Sequence, residues 1–166
     1  GVDYLIEACK LLAEKHPEWK ESLGVVVFGN QSQQLQEQLP FHVYPLPYIK
    51  NEHEIVNIYN AVDLFVIPSL EENLPNMVME AMSCGVPCVG FNTGGIPEMI
   101  DHLHNGYVAQ RKSSEDLANG IHWVLTEPEY AELSAQACRK AVGNYSESII
   151  AKKYTDVYNK ITGKYA

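Results

Sequence analysis

Seven residues separate Glu72 from Glu80 in the stretch PSLEENLPNMVMEAMSCGVPCVG. Two carboxylates along one wall are good acceptors for hydroxyl groups, as on a ribose or a hexose. They are poor ligands for phosphate, because like charges repel. Between them, Asn73 suits an N-cap and Pro75 a first helical turn, so a helix is expected to begin there. Its free N–H groups around Leu74–Met77 would face the same space and receive an anion. A sugar attached to a phosphate satisfies both demands. Spacing alone is equally compatible with two ordinary solvated glutamates.

The helix needs elements to hold it. Leu74, Met77, Val78, Ala81 and Met82 recur with helical period and predict a buried face, leaving Asn73, Asn76, Glu80 and Ser83 on another. Gly85 should end the helix, and Pro87 prevents its continuation. An apolar strand, Asp63–Pro68, leads in and a second, Val86–Phe91, leads out. In an open parallel sheet, ligands bind beyond the carboxyl ends of the strands, where Glu72 would sit with Glu80 deeper. The loop Asn92–Glu98 carries Gly94 and Gly95 ahead of Pro97, so its amides could face an anion or simply form a tight turn beside the cleft.

The remaining chain reads as alternating helices and strands, which predicts a Rossmann-like, doubly wound α/β domain with a mostly parallel sheet and helices on both faces. Residues 3 to 15 form a helix with Tyr4, Leu5, Ala8, Leu11 and Leu12 inward. Gly24–Gly29 is a β-branched central strand, and Gly29 is a turn residue with a less favoured ligand role. Residues 31 to 38 suggest a short exposed helix, and Phe41–Leu46 another strand. Asn51 should cap a helix, with Glu54 as its capping-box partner and Ile55, Ile58, Tyr59 and Val62 inward. Tyr59 reads as core rather than ligand. Gly106–Ala109 suggests an edge strand, and Ser113 or Ser114 should start a helix with Leu117, Ile121, Val124 and Leu125 inward. A helix over 129–142 should end near Gly143, and Ser146 should cap a last one striped by Ile150, Tyr154, Val157, Tyr158 and Ile161.

With 166 residues, 46% hydrophobic and 20% charged, the chain suits one soluble globular domain, 1–166. The net charge of −9 argues against nucleic acid as a partner. It leaves room for a small phosphorylated ligand held by backbone amides. The four cysteines lack zinc spacing and fit a reducing cytoplasm. His102 and His104 have no third ligand nearby in sequence, so no metal is expected.

The run from Pro68 to Glu98 resembles the motif of the retaining, nucleotide-sugar-dependent glycosyltransferases of the GT-B fold, family four. The match falls on Pro68, Ser69, Glu72, Glu80, Ala81, Gly85, Pro87, Gly94, Gly95, Pro97 and Glu98. It departs from the usual Gly-Phe-Gly at Asn73, Leu74 and Pro75, which bears on the sugar transferred more than on the reaction class. The resemblance implies that Glu80 holds the ribose hydroxyls of the donor and that Glu72 binds the transferred sugar. The backbone from Asn73 through Leu74, Pro75 and Asn76 to Met77 would take donor sugar and phosphate. Gly29 would lie near the donor, and Tyr48 and Ile49 would touch the base through backbone atoms. The parent enzyme would move a sugar from a nucleotide diphosphate to an acceptor hydroxyl with retention. It would use no cofactor and no metal, with no general base assigned in this chain.

The resemblance also implies that the chain is the C-terminal, donor-binding half. The basic pair that clamps the diphosphate and an N-terminal domain for a sugar, glycan or lipid-linked acceptor would precede Gly1. Alone, the chain would be inactive. A role in glycan biosynthesis and a cytoplasmic location follow, and peripheral association of the full-length enzyme with the inner membrane face stays open. Two rivals remain: a non-catalytic α/β binding module, and a nucleotide-sugar epimerase of GT-B architecture. Fold alone separates neither.

Overall fold

The computed structural model describes residues 1–28 and 32–163. The elements run α1 (Val2–Lys15), a 3-10 turn (Pro17–Lys20), β1 (Gly24–Phe28), α2 (Ser32–Gln36), β2 (His42–Leu46), α3 (Glu52–Asn60) and β3 (Phe65–Ile67). Then come α4 (Asn76–Ser83), β4 (Cys88–Phe91), α5 (Ile96–Met99), β5 (Gly106–Ala109), α6 (Ser114–Thr126), α7 (Tyr130–Tyr145) and α8 (Glu147–Ile161). β1 pairs with β2, while β4 lies between β3 and β5, and every one of these pairings is parallel.

Strand alternation explains the layers. Along β4, Val89 and Phe91 point into one apolar cluster with Ile6, Leu12, Val43, Leu117 and Val124, which carries α1 and α6. Cys88 points into the opposite cluster with Tyr59, Ile67, Val78, Met82 and Ile96, which carries α3, α4, α5 and α7. The first cluster joins residues of β2 to residues of β4, so one core ties the paired strands together. This is the α/β arrangement, with helices on both faces, that the alternation of elements predicts.

Several local expectations fail for clear reasons. Asn73 does not cap α4; Pro75 occupies that position, with φ −71° and ψ 117°. Had Asn73 been the cap, Leu74 would have needed helical angles immediately before a proline, which the proline ring disfavours. The helix therefore starts two residues later, and Leu74 and Met77 stay 46% and 41% exposed instead of joining Val78, Ala81 and Met82 in the core. Gly143 does not stop α7, which runs on to Tyr145. In α1 the buried stripe centres on Ile6, Ala8, Cys9, Leu12 and Ala13, and Tyr4, Leu5 and Leu11 are half-buried. Asn51, in contrast, caps α3 as its side chain accepts from the His53 N–H at 2.9 Å. Ser113 caps α6 in the same way, accepting from Asp116 N–H at 3.1 Å. Gly85, at φ +76°, ends α4 in the left-handed conformation that glycine tolerates.

Candidate functional site

The loop between β3 and α4 carries Glu72, and a second loop, after β4, holds it. Gly95 N–H donates to the Asn73 carbonyl at 2.6 Å. A Cβ on Gly94, whose φ is +52°, would lie 1.6 Å from the Glu72 carbonyl oxygen, and one on Gly95 would lie 2.2 Å from that of Asn73. Both glycines are thus required by close backbone approach, which is the tight-turn reading in a sharper form. The Leu70 carbonyl is pinned as well, accepting from Thr93 Oγ1 at 3.0 Å and from Arg111 Nε at 3.1 Å. At the opposite side of the loop the backbone of Gly1 closes in, since a Cβ there would lie 1.6 Å from the Pro68 carbonyl oxygen.

Glu72 is half-buried, and its Oε1 accepts a 3.3 Å bond from Asn73 N–H. Ahead of α4 the Pro75 carbonyl accepts from Val78 and Met79 N–H at 3.1 and 3.4 Å, and no side chain caps the helix. Among the described residues the N–H groups of Asn76 and Met77 have no acceptor. These are the orphan donors of a helix start, the groups that receive anions.

Glu80 lies one turn further along α4. It is exposed, yet its Oε2 accepts from the hydroxyl of Tyr59 at 3.2 Å. Burial, and then the neighbouring Glu80 charge, push the Tyr59 phenol well above its usual range, so it stays a donor. Glu80 and Tyr59 line a groove of about 430 Å³ between α3, α4 and α7, with Glu52, Ile55, Met79 and Cys84. Tyr48 is exposed and Ile49 half-buried in the segment between β2 and α3. Gly29 lies outside the described residues.

A more open concavity, about 560 Å³, sits by the end of β5 and includes Asn92, Tyr107, Gln110 and Asp116. Its carboxylate is already engaged, accepting from Tyr107 hydroxyl at 2.8 Å and Gln110 N–H at 2.6 Å while Asp116 N–H bonds the cap Ser113. It reads as a brace for α6. His102 Nδ1 accepts from Val108 N–H at 3.1 Å. Among the described residues no three His, Cys, Asp or Glu side chains gather into a metal-binding group.

Against known proteins, the family described as glycosyl transferases group 1 matches residues 1–141. The chain belongs to that family. Among relatives, an uncharacterized glycosyltransferase of Methanocaldococcus jannaschii is 30% identical over 163 residues, covering 95% of this chain and 41% of the relative. Another, from Haemophilus influenzae, is 28% identical over 138 residues, covering 81% and 38%. The chain thus spans well under half the length of these curated relatives. Anabaena HepE, solved in complex with UDP, superposes with TM-score 0.78 at 23% identity over 96% of this chain and 45% of that one. The C-terminal domain of a Francisella tularensis group 1 protein superposes with TM-score 0.73 at 22% identity, over 89% and 80%. The fold is that of the C-terminal domain of GT-B glycosyltransferases.

Sequence reasoning missed the Tyr59 hydroxyl, taking the ring as core alone. It also missed Thr93 and Arg111 as the anchors of the Leu70 carbonyl. Each of these contacts bridges more than twenty positions and leaves no local pattern.

Proposed function

We propose that this chain binds a nucleotide-diphosphate sugar for a retaining glycosyl transfer, with the acceptor held outside these 166 residues. The observation that carries the reading is the uncapped start of α4 between two glutamates. The free N–H groups of Asn76 and Met77 await an anion there, with Glu72 before them and Glu80 after. In this reading the diphosphate lies on those amides and on the Leu74 N–H, and the backbone of Asn73 and Pro75 runs along the donor sugar. Glu72 accepts from hydroxyls of the transferred sugar, Glu80 from the ribose, and the segment with Tyr48 and Ile49 flanks the base. Gly94 and Gly95 serve by holding the Glu72 loop in place, and Gly29 lies near the donor.

Charge develops on the leaving diphosphate as the glycosidic bond breaks. Preorganised N–H dipoles stabilise it most when water is excluded, so this chain supplies part of the transition-state stabilisation. The binding site needs no metal. Two likenesses support the reading. Anabaena HepE was solved with UDP-glucose. A relative from Campylobacter jejuni, 31% identical over 115 residues and matched over 69% of this chain and 30% of its own, is named for transfer to a diphospho-undecaprenol. The latter favours a lipid-linked acceptor at a membrane face; among the described residues no helix is long and apolar enough to cross a membrane.

Titration of the chain with UDP, GDP and ADP, followed by amide NMR, tests the reading. One nucleotide should bind weakly and shift the amides of Asn76 and Met77, and Glu80→Ala should weaken it about tenfold, the loss of hydrogen bonds to a charged acceptor. No transfer is expected from the chain alone. A folded chain whose α4 amides ignore all three nucleotides at millimolar concentration would overturn the proposal.

A further inference from the structure

We propose that Tyr59 is the positioning residue for Glu80, holding one carboxylate oxygen so that the other meets the ribose hydroxyls of the donor. This rests on the ribose role proposed for Glu80. Glutamate on a helix surface has three rotatable side-chain bonds, and an exposed one samples many directions. Glu80 would then bind a diol only after its rotamers are fixed.

The structure supplies what fixes them. The Tyr59 ring is 1% exposed and sits in the cluster with Ile67, Val78, Ala81 and Met82. It meets Phe65 edge-to-face, with centroids 5.9 Å apart at 84°. A ring so enclosed cannot swing, and its hydroxyl is a fixed point on the α3 side of α4. From there it donates to Glu80 Oε2 at 3.2 Å. Among the described residues Oε1 has no partner, and each carboxylate oxygen accepts two bonds, so capacity for a diol remains. The groove between α3, α4 and α7 gives the ligand room beside the pair. The raised phenol pKa agrees, because the hydroxyl keeps its proton and remains a donor throughout the working pH range.

The plain alternative is that Glu80 merely satisfies a buried hydroxyl. The two readings differ in what Tyr59→Phe does to ligands with and without ribose hydroxyls. The test titrates the chain with whichever of UDP, GDP and ADP binds, and with its dideoxy counterpart, using wild type, Glu80→Ala, Tyr59→Phe and the double variant. Wild type should prefer the ribonucleotide, and Glu80→Ala should lose that preference. Tyr59→Phe should weaken the ribonucleotide about fivefold and leave the dideoxy form unchanged, as removal of one hydrogen bond predicts. The double variant should be no worse than Glu80→Ala.

If Tyr59→Phe keeps the full preference that Glu80→Ala loses, the positioning role is overturned and the ribose role stands. If wild type shows no preference, or Glu80→Ala keeps it, the ribose role falls and the positioning role falls with it. Should Tyr59→Phe fail to fold, a fluorotyrosine label read by fluorine NMR in the otherwise unchanged chain serves instead. The Tyr59 resonance should shift with the ribonucleotide and stay fixed with the dideoxy form, and an equal response to both would overturn the proposal.

Discussion

Gly94 shows how one missing side chain can govern a site to which it contributes no chemistry. It occupies φ +52°, and an added methyl would overlap the Glu72 carbonyl, so Gly94→Ala meets both backbone strain and a clash. We expect a loss of more than about 2 kcal/mol in urea unfolding, with nucleotide binding weakened through displacement of the Glu72 loop. A change under about 0.5 kcal/mol would mean that the loop yields without cost. At this scale the sequence shows residue types more readily than their partners. Glu72, Glu80 and the glycine pair stood out because their chemistry and conformational freedom are intrinsic. It was silent on what Glu80 leans against, because Tyr59 is twenty-one positions away and its place on the helical stripe is that of a core residue.

Helices and strands were legible from periodicity, while their ends depended on rules that compete. Asn73 has the right chemistry for a cap, yet the Leu74–Pro75 bond disfavours the turn it would cap, and the stricter constraint prevails. The same level holds a titratable contact. Where α1 ends against α6, His16 stacks on His122 at 4.4 Å and Trp19 lies 5.3 Å from His122. Burial, then His16 and Lys15, depress the His122 pKa below its usual 6.5. Glu18 at 3.3 Å from His16 and Glu115 at 3.8 Å from Lys15 temper the positive charge. The folded state therefore binds fewer protons than the unfolded one below pH 6.5, so stability is full above that value and declines as pH falls toward the lowered pKa. Unfolding followed by tryptophan fluorescence between about pH 5 and 7.5 should show this slope, and His122→Gln should flatten it. An unchanged slope in the variant would assign the effect elsewhere.

For the molecule as a whole, two apolar clusters on opposite strand faces make the order of helices and strands sufficient to anticipate the architecture. What no periodicity could reveal is how far each amphipathic stripe is covered. α8 has no buried residue, and Tyr154, Val157, Tyr158 and Ile161 are all exposed, whereas α4 buries Val78, Ala81 and Met82 completely. Amide exchange should follow that contrast, with α8 exchanging at least about a hundredfold faster than the middle of α4. Comparable protection in both would show that α8 is stabilised by something other than packing within the chain. Distance along the sequence and distance in space part company again at position 1. With no room for a methyl between Gly1 and Pro68, an alanine at the first residue would push on the floor beneath Glu72. A binding titration would then report an apparent lesion around Glu72 in a variant altered some seventy residues upstream of it.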